Sequence, residues 1–397
     1  MSAKFKTLIL TLIFIAVGLM SATAQSTESY AQKLEQEREK RFSIGGYGQL
    51  DYNQQISSSK SYTGKLEPHR IVLFLGYQFS PKVHFVTELE VEHGNEIYVE
   101  QGYLNLRINN KLQFRGGVML IPMGLTNEYH EPTTYNGVER PTIATIIVPT
   151  TWREMGAGIH GRFDEISLNY QAYLFTGFNG YDTQARLSGK DGLRKGRQKA
   201  INSYASSPNV SAKLNYYGIN NLSVGLAGYF GKSQSKLFDG LDKSSVNMTS
   251  KADSSVVDIA MVGLDAQYRI KGLDIRGEYI HTFVGNTNEY NLYNKKQNDL
   301  GSEMQGWYLE VSYDVLYPKL KGERKIVPFV RYESYDTHYK VLGITRNKSY
   351  NFNELFAGIG YSPIEGVMLK TDFQWRMNPH DNSLNSKWLN MGIGLTF

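Results

Sequence analysis

The stretch LQFRGGVMLIPMGLTNEYHEPTTYNGVERPTIATIIVPTTWREMGAGIHGRF, residues 112–163, decides the fold. At its start Phe114, Gly116, Val118 and Leu120 share one side of an alternating segment, and at its end Met155, Ala157, Ile159, Gly161 and Phe163 do the same. A period of two marks a half-buried strand. Between them runs a connection, 121–152, holding Pro122, Pro132, Pro141 and Pro149. Loops this long are uncommon in compact domains and are usually functional or disordered. Its Tyr, Ile and Val content argues against solvated disorder. The expectation is a loop folded into the lumen of a β-barrel, where it narrows a pore.

Working outward, alternating segments fall at about 42–55, 66–79, 83–93, 96–108, 112–120, 153–163, 166–178 and 209–217. They continue at 221–232, 256–270, 273–284, 305–316, 326–338, 352–362, 366–377 and 387–397, giving sixteen. Their connections fall into two classes. One is short, as at 80–82, 109–111, 164–165, 218–220, 271–272 and 363–365, with only 317–325 longer. The other is mostly long: 56–65, 121–152, 179–208, 233–255, 285–304, 339–351 and 378–386, with one short member between the third and fourth segments. Short turns alternating with long loops predict an all-β transmembrane antiparallel barrel of the outer-membrane type, turns and both termini periplasmic. A soluble sandwich has no reason to segregate its loops in this way.

Composition agrees. The 397 residues include 28 Tyr and 38 Gly, and no run of eighteen apolar residues follows the N-terminus, which excludes helical spans. Cysteine is absent, which removes disulfides, thiolate zinc sites and cysteine nucleophiles. A net charge of +5 is too small to imply nucleic acid. Lys4 and Lys6 precede an apolar run of 13 residues, Leu8–Met20, and Ala22-Thr23-Ala24 is a cleavage site. Residues 1–24 therefore read as a signal peptide, with the mature chain starting at Gln25. Residues 25–41 are polar, and are expected to form a frayed leader, a short periplasmic helix or a trimer contact. The last segment alternates Leu389, Met391, Ile393, Leu395 and Phe397 with small or polar residues. A terminal aromatic of this kind resembles the signature that outer-membrane assembly machinery reads.

The chain also resembles the phosphate-selective porin O and P family. Phe114-Arg115-Gly116-Gly117-Val118 running into Ile121-Pro122-Met123-Gly124-Leu125 carries the resemblance, with the loop that follows and Trp152-Arg153-Glu154-Met155-Gly156. The resemblance implies a sixteen-stranded trimeric porin with its third long loop turned inward. The arginine ladder of the phosphate-selective members is missing here.

Where Leu, Ile, Val, Phe and Trp take one face of a strand, that face meets lipid and the other meets water. This parity sends Arg115, His160, Arg162, Lys213, Arg276, Glu278, Arg331, Glu333, Lys370, Asp372 and Arg376 into the lumen, with Glu88, Glu90 and Glu92. The inserted loop adds Glu128, Glu131, Glu139 and Arg140. Two readings follow: a transverse field across a constriction, or ion pairs tying the loop to the wall. The basic connection 179–208 (Arg186, Lys190, Arg194, Lys195, Arg197, Lys199) would gather anions, meet lipopolysaccharide phosphates or simply be solvated.

No catalytic motif appears, and His130-Glu131 lacks the second histidine of a zinc-protease helix. No enzyme activity, cofactor or metal is expected. The function expected is passive diffusion of small hydrophilic solutes or ions, with a lean to anions such as phosphate. The alternative is a poorly conducting receptor or adhesin displaying 179–208 and 233–255.

Overall fold

The computed structural model describes residues 41–293, 298–320 and 324–397. The expected signal peptide and residues 25–40 lie outside them. Sixteen antiparallel strands close into a barrel. The first half comprises β1 (Phe42–Ile56), β2 (Lys65–Ser80), β3 (Val83–Glu92), β4 (Glu96–Arg107), β5 (Gln113–Leu120), β6 (Arg153–Phe163), β7 (Leu168–Phe175) and β8 (Asn209–Ile219). The second comprises β9 (Leu222–Lys232), β10 (Asp258–Ile270), β11 (Leu273–Gly285), β12 (Glu303–Tyr313), β13 (Lys325–Lys340), β14 (Asn351–Ser362), β15 (Val367–Met377) and β16 (Ser386–Thr396). Boundaries depart from the alternating segments by at most three residues. Alternation is legible because each strand separates lipid from lumen residue by residue.

Consecutive strands pair, and β1 closes on β16 in a register running from Tyr47–Thr396 to Ile56–Lys387. At the seam Gly46 and Phe397 exchange two backbone hydrogen bonds of 2.9 Å. A Cβ on Gly46 would overlap the Val72 carbonyl and the Phe397 ring. Gly46 thus serves close approach at the closing strand.

An even strand count places residue 41 and Phe397 at the end that carries the short turns. The other end carries the long connections, and these interlock. Asn179–Tyr181 pairs in parallel with Gln234–Ser235, joining 176–208 to 233–257. The Tyr290 hydroxyl, on a short helix α1 (Thr287–Tyr293), donates to Gly180 O at 2.5 Å and accepts from Leu187 N at 3.2 Å.

The outer face is a belt of exposed apolar side chains, among them Leu226, Leu264, Leu309, Val330 and Phe373. Leu264 is 52% exposed at the middle of β10. A charge there meets hydrocarbon. Leu264→Arg is expected to destabilise the barrel by about 2–4 kcal/mol, measured by denaturant unfolding in lipid vesicles. No loss of stability would place this face in water.

Candidate functional site: a loop moored across the lumen

The connection 121–152 enters the barrel, as its sequence predicts. Its base is apolar. Ile121, Met123, Ile143, Ile147, Val148 and Trp152 are almost wholly buried, in one cluster with Tyr47, Phe74, Tyr103, Phe178, Tyr229 and Tyr308. Trp152 stacks on Phe178 at 4.4 Å and meets Tyr229 edge-on at 4.7 Å. Burying such rings favours docking, because the gain scales with apolar area removed from water. Gly124 explains part of the Ile-Pro-Met-Gly-Leu motif. Its φ is +69°, and an added Cβ would overlap the Glu278 carboxylate. That carboxylate accepts the next amide, Leu125 N, at 3.0 Å.

From this base the loop crosses to the opposite wall and is held by strands all round the barrel. Lys213 on β8 donates to Gly124 O at 2.7 Å and pairs with Glu128 at 3.2 Å. Gln171 on β7 donates to the other Glu128 oxygen at 2.7 Å. On the β2–β4 side Arg70 donates to His130 O at 2.6 Å, while the His130 ring lies 3.4 and 3.3 Å from Glu88 and Glu100. On β15 Lys370 donates to Tyr135 O and Gly137 O at 2.6 and 2.9 Å, and Asp372 accepts Val138 N at 2.7 Å. Glu333 on β13 accepts Ile143 N at 3.1 Å, and Glu310 on β12 accepts the Asn136 amide at 2.8 Å. Glu354 on β14 accepts the Thr142 hydroxyl at 2.9 Å. Charge-assisted bonds of this kind are the strong class. In a buried setting each also satisfies a group that would be costly to leave unpaired.

The sequence-derived charges can now be placed. Glu128, Lys213 and Lys370 are buried ties between loop and wall. Arg276 donates to Thr134 O at 2.7 Å and pairs with Asp274 at 2.6 Å. Glu139 accepts from Asn53 at 3.1 Å, with half-buried Arg140 beside it in the chain. Glu131 is buried. Arg115 is also buried, with its guanidinium 4.4 Å from the centre of the Tyr103 ring. Arg376, at the long-loop end of β15, pairs with Glu354 at 3.3 Å. Arg162 lies at the turn end of β6. It faces inward by parity but lies beside the 164–167 turn, its side chain 49% exposed and paired with Asp164, away from the loop. Parity gives the face of a residue and not its depth.

A second connection clamps the first, which the sequence did not reveal. Arg194 donates to Thr145 O and Thr150 O at 3.1 and 3.0 Å, and Arg197 to Pro149 O and Thr151 O, both at 3.1 Å. Burial, then the neighbouring guanidiniums, lower the pKa of both side chains. Lys195 pairs instead with Asp191, and Arg186 with Asp182. Arg70, Glu100, Glu310 and Glu354 were also missed. For Arg70 and Glu354 the strand's inward face carries large apolar side chains too, Val72 and Phe74 on β2, Phe352 and Phe356 on β14. A hydrophobicity rule reads such strands ambiguously.

Between the loop and the β10–β12 wall a small cavity of about 30 Å³ remains, lined by Thr126, Tyr129, Gln267, Arg269, Arg276 and Glu310 among others. Both charge signs face it.

No family model matches the chain. Among solved structures, the fold is similar to the outer-membrane channel DcaP of Acinetobacter baumannii (TM-score 0.58, 12% identity, covering 90% of this chain and 97% of that one). It is similar as well to Salmonella typhi OmpF in complex with daunomycin (TM-score 0.55, 13% identity, 90% and 97%). Vibrio cholerae OmpT, an outer-membrane protein, gives 0.53 at 11% identity, covering 91% and 99%. At these identities the likeness is one of fold. In sequence, an uncharacterized protein of Aquifex aeolicus (strain VF5) is 31% identical over 350 residues, which is 84% of this chain and 75% of that protein. The chain belongs to the family of that Aquifex aeolicus protein, and its architecture is the closed sixteen-stranded barrel of outer-membrane porins.

Proposed function

We propose that the protein is a passive diffusion channel of the outer membrane for small hydrophilic solutes or ions, with 121–152 as its constriction. The observation that carries this reading is the loop itself, moored to opposite walls inside a barrel whose outer face is apolar. Selection then works through radius and fixed charge, with no chemistry performed. In this reading residues 1–24 are removed on export, the turn end faces the periplasm, and Phe397 presents the barrel for assembly. Trimerisation belongs to the same proposal.

The lean to anions that the sequence and the family resemblance favoured finds no support in the packing. Lys213, Arg276 and Lys370 are engaged by loop carbonyls or carboxylates. Among the described residues, buried carboxylates outnumber buried Arg and Lys by more than two to one. The small cavity beside the loop carries both signs. Weak charge selectivity is the expectation. Reconstituted protein in planar bilayers should give discrete conductance steps, with a reversal potential near zero in asymmetric KCl. A strongly anion-selective channel would contradict the charge reading.

The packed lumen supports a second reading, a surface receptor that conducts little. Glu88, Glu100, Glu333 and Glu354 are fully shielded from solvent at the level of the loop. Absence of conductance steps from correctly folded barrels would favour it over the channel.

A further inference from the structure

We propose that the long-loop mouth of the barrel carries a binding site for a first-row divalent cation of the zinc class, built from His69, His93 and Glu67, with Asp51 beside His69. The site lies outside the moored loop and goes beyond the channel reading.

Its geometry begins with a bulge. On β1 and β2, Gln49 pairs with Arg70 and Leu50 with Pro68, so His69 has no partner across the ladder. Bulges re-aim side chains and recur beside functional sites. Here the bulge turns His69 to the same side as Glu67 and Asp51. His93 comes from the tight 93–95 connection, where its φ of +52° turns the chain, and its amide donates to His69 O at 2.9 Å. The two imidazoles stand with ring centres 5.5 Å apart.

The donor atoms converge. His93 Nδ1 lies 3.2 Å from one Glu67 oxygen, and His69 Nδ1 lies 3.6 Å from the other. The Oδ2 of Asp51 is 3.5 Å from His69 Nδ1. Ligand atoms from Glu67, His69 and His93 all fall within 4.8 Å of one another. A tetrahedral site with bonds of ~2.0–2.1 Å has edges of roughly 3.3–3.4 Å, close to the 3.2 and 3.6 Å that separate the two imidazoles from Glu67. Two neutral imidazoles with one or two carboxylates suit Zn²⁺, Co²⁺ or Ni²⁺ better than Ca²⁺ or Mg²⁺, which take oxygen shells. Asp51 is buried, while Glu67 and His93 are 41% and 44% exposed, so an ion can enter from the mouth.

The motif is absent from the sequence as a pattern. Glu67 and His69 alternate on one strand, and His93 is distant in the chain. The test uses the full barrel, folded in detergent and stripped with chelator. Zn²⁺ is titrated in competition with a chromophoric chelator, and Co²⁺ is followed by its visible absorption. Wild type should take one equivalent per chain. His69→Gln and His93→Asn should each weaken Zn²⁺ binding by at least ~100-fold, beyond the ~10–100-fold typical of losing a supporting residue. Asn tolerates the positive φ at 93, so that variant keeps the turn. His281→Ala removes a histidine paired with Glu303, away from this cluster, and should leave binding unchanged. Heat-modified gel migration confirms folding of every variant. A folded barrel without stoichiometric binding overturns the site, as does binding that survives both histidine variants.

Discussion

Replacing Thr126–Pro141 by a short glycine linker should raise single-channel conductance by roughly fivefold or more, because the narrowest section limits flow. The excised residues include the contacts that carry the loop across the lumen: Glu128 to Lys213, His130 O to Arg70, Val138 N to Asp372 and Asn136 to Glu310. Without them the wall charges face water, where a charged group is inexpensive to keep. The barrel should therefore still assemble, since its strand ladder does not run through the loop. Current noise should fall as well if the native loop fluctuates on its moorings. The same deletion separates the two functional readings. A receptor barrel that is silent in the native state should become conducting, whereas a native channel should only widen. Unchanged conductance in a folded variant would mean that the limiting section lies elsewhere.

Arg331→Met should cost about 3–5 kcal/mol, the typical loss when one partner of a buried ion pair is removed. Arg331 is fully shielded. Its Nε donates to Glu333 at 2.7 Å, its Nη1 to Glu310 at 3.2 Å, and its guanidinium lies 4.1 Å from the centre of the Phe356 ring. Methionine retains part of the stem's packing and none of the charge. Two carboxylates then lose their shared cation, and Glu333 also holds Ile143 N of the loop. The cost should appear in denaturant unfolding of vesicle-reconstituted protein, together with unstable channel openings. Adding Glu310→Gln and Glu333→Gln to the arginine variant should recover most of the loss, because the penalty resides in the orphaned charges. A loss under ~1 kcal/mol for Arg331→Met would show that water reaches the cluster.

The barrel was legible because period-two alternation is a local property. Leu369, Phe373 and Trp375 against Lys370, Asp372 and Gln374 give the lipid and lumen faces of β15 with no knowledge of its neighbours. The inserted loop was legible for a related reason, since so long an apolar connection has to bury its side chains somewhere. Its moorings were legible only in part. Lys213 and Lys370 could be sent inward by parity, but their targets are carbonyls whose positions depend on how the loop turns. Arg162 shows the limit of the method: parity gives its face, while its place beside the 164–167 turn depends on depth, which parity does not carry. Arg194 and Arg197 show another. A basic run in a polar connection looks solvated until a neighbouring loop brings it four carbonyls.

The reach of the moorings has a consequence for the order of assembly. The loop is synthesised between β5 and β6, yet Asn136, Ile143 and Val138 bind partners 174, 190 and 234 residues further along. Those partners occupy fixed positions only after β12, β13 and β15 have joined the sheet. Contacts this distant carry the full entropy of closing a long chain segment and form slowly. These moorings can therefore form only late, and the loop is expected to be among the last parts of the lumen to settle.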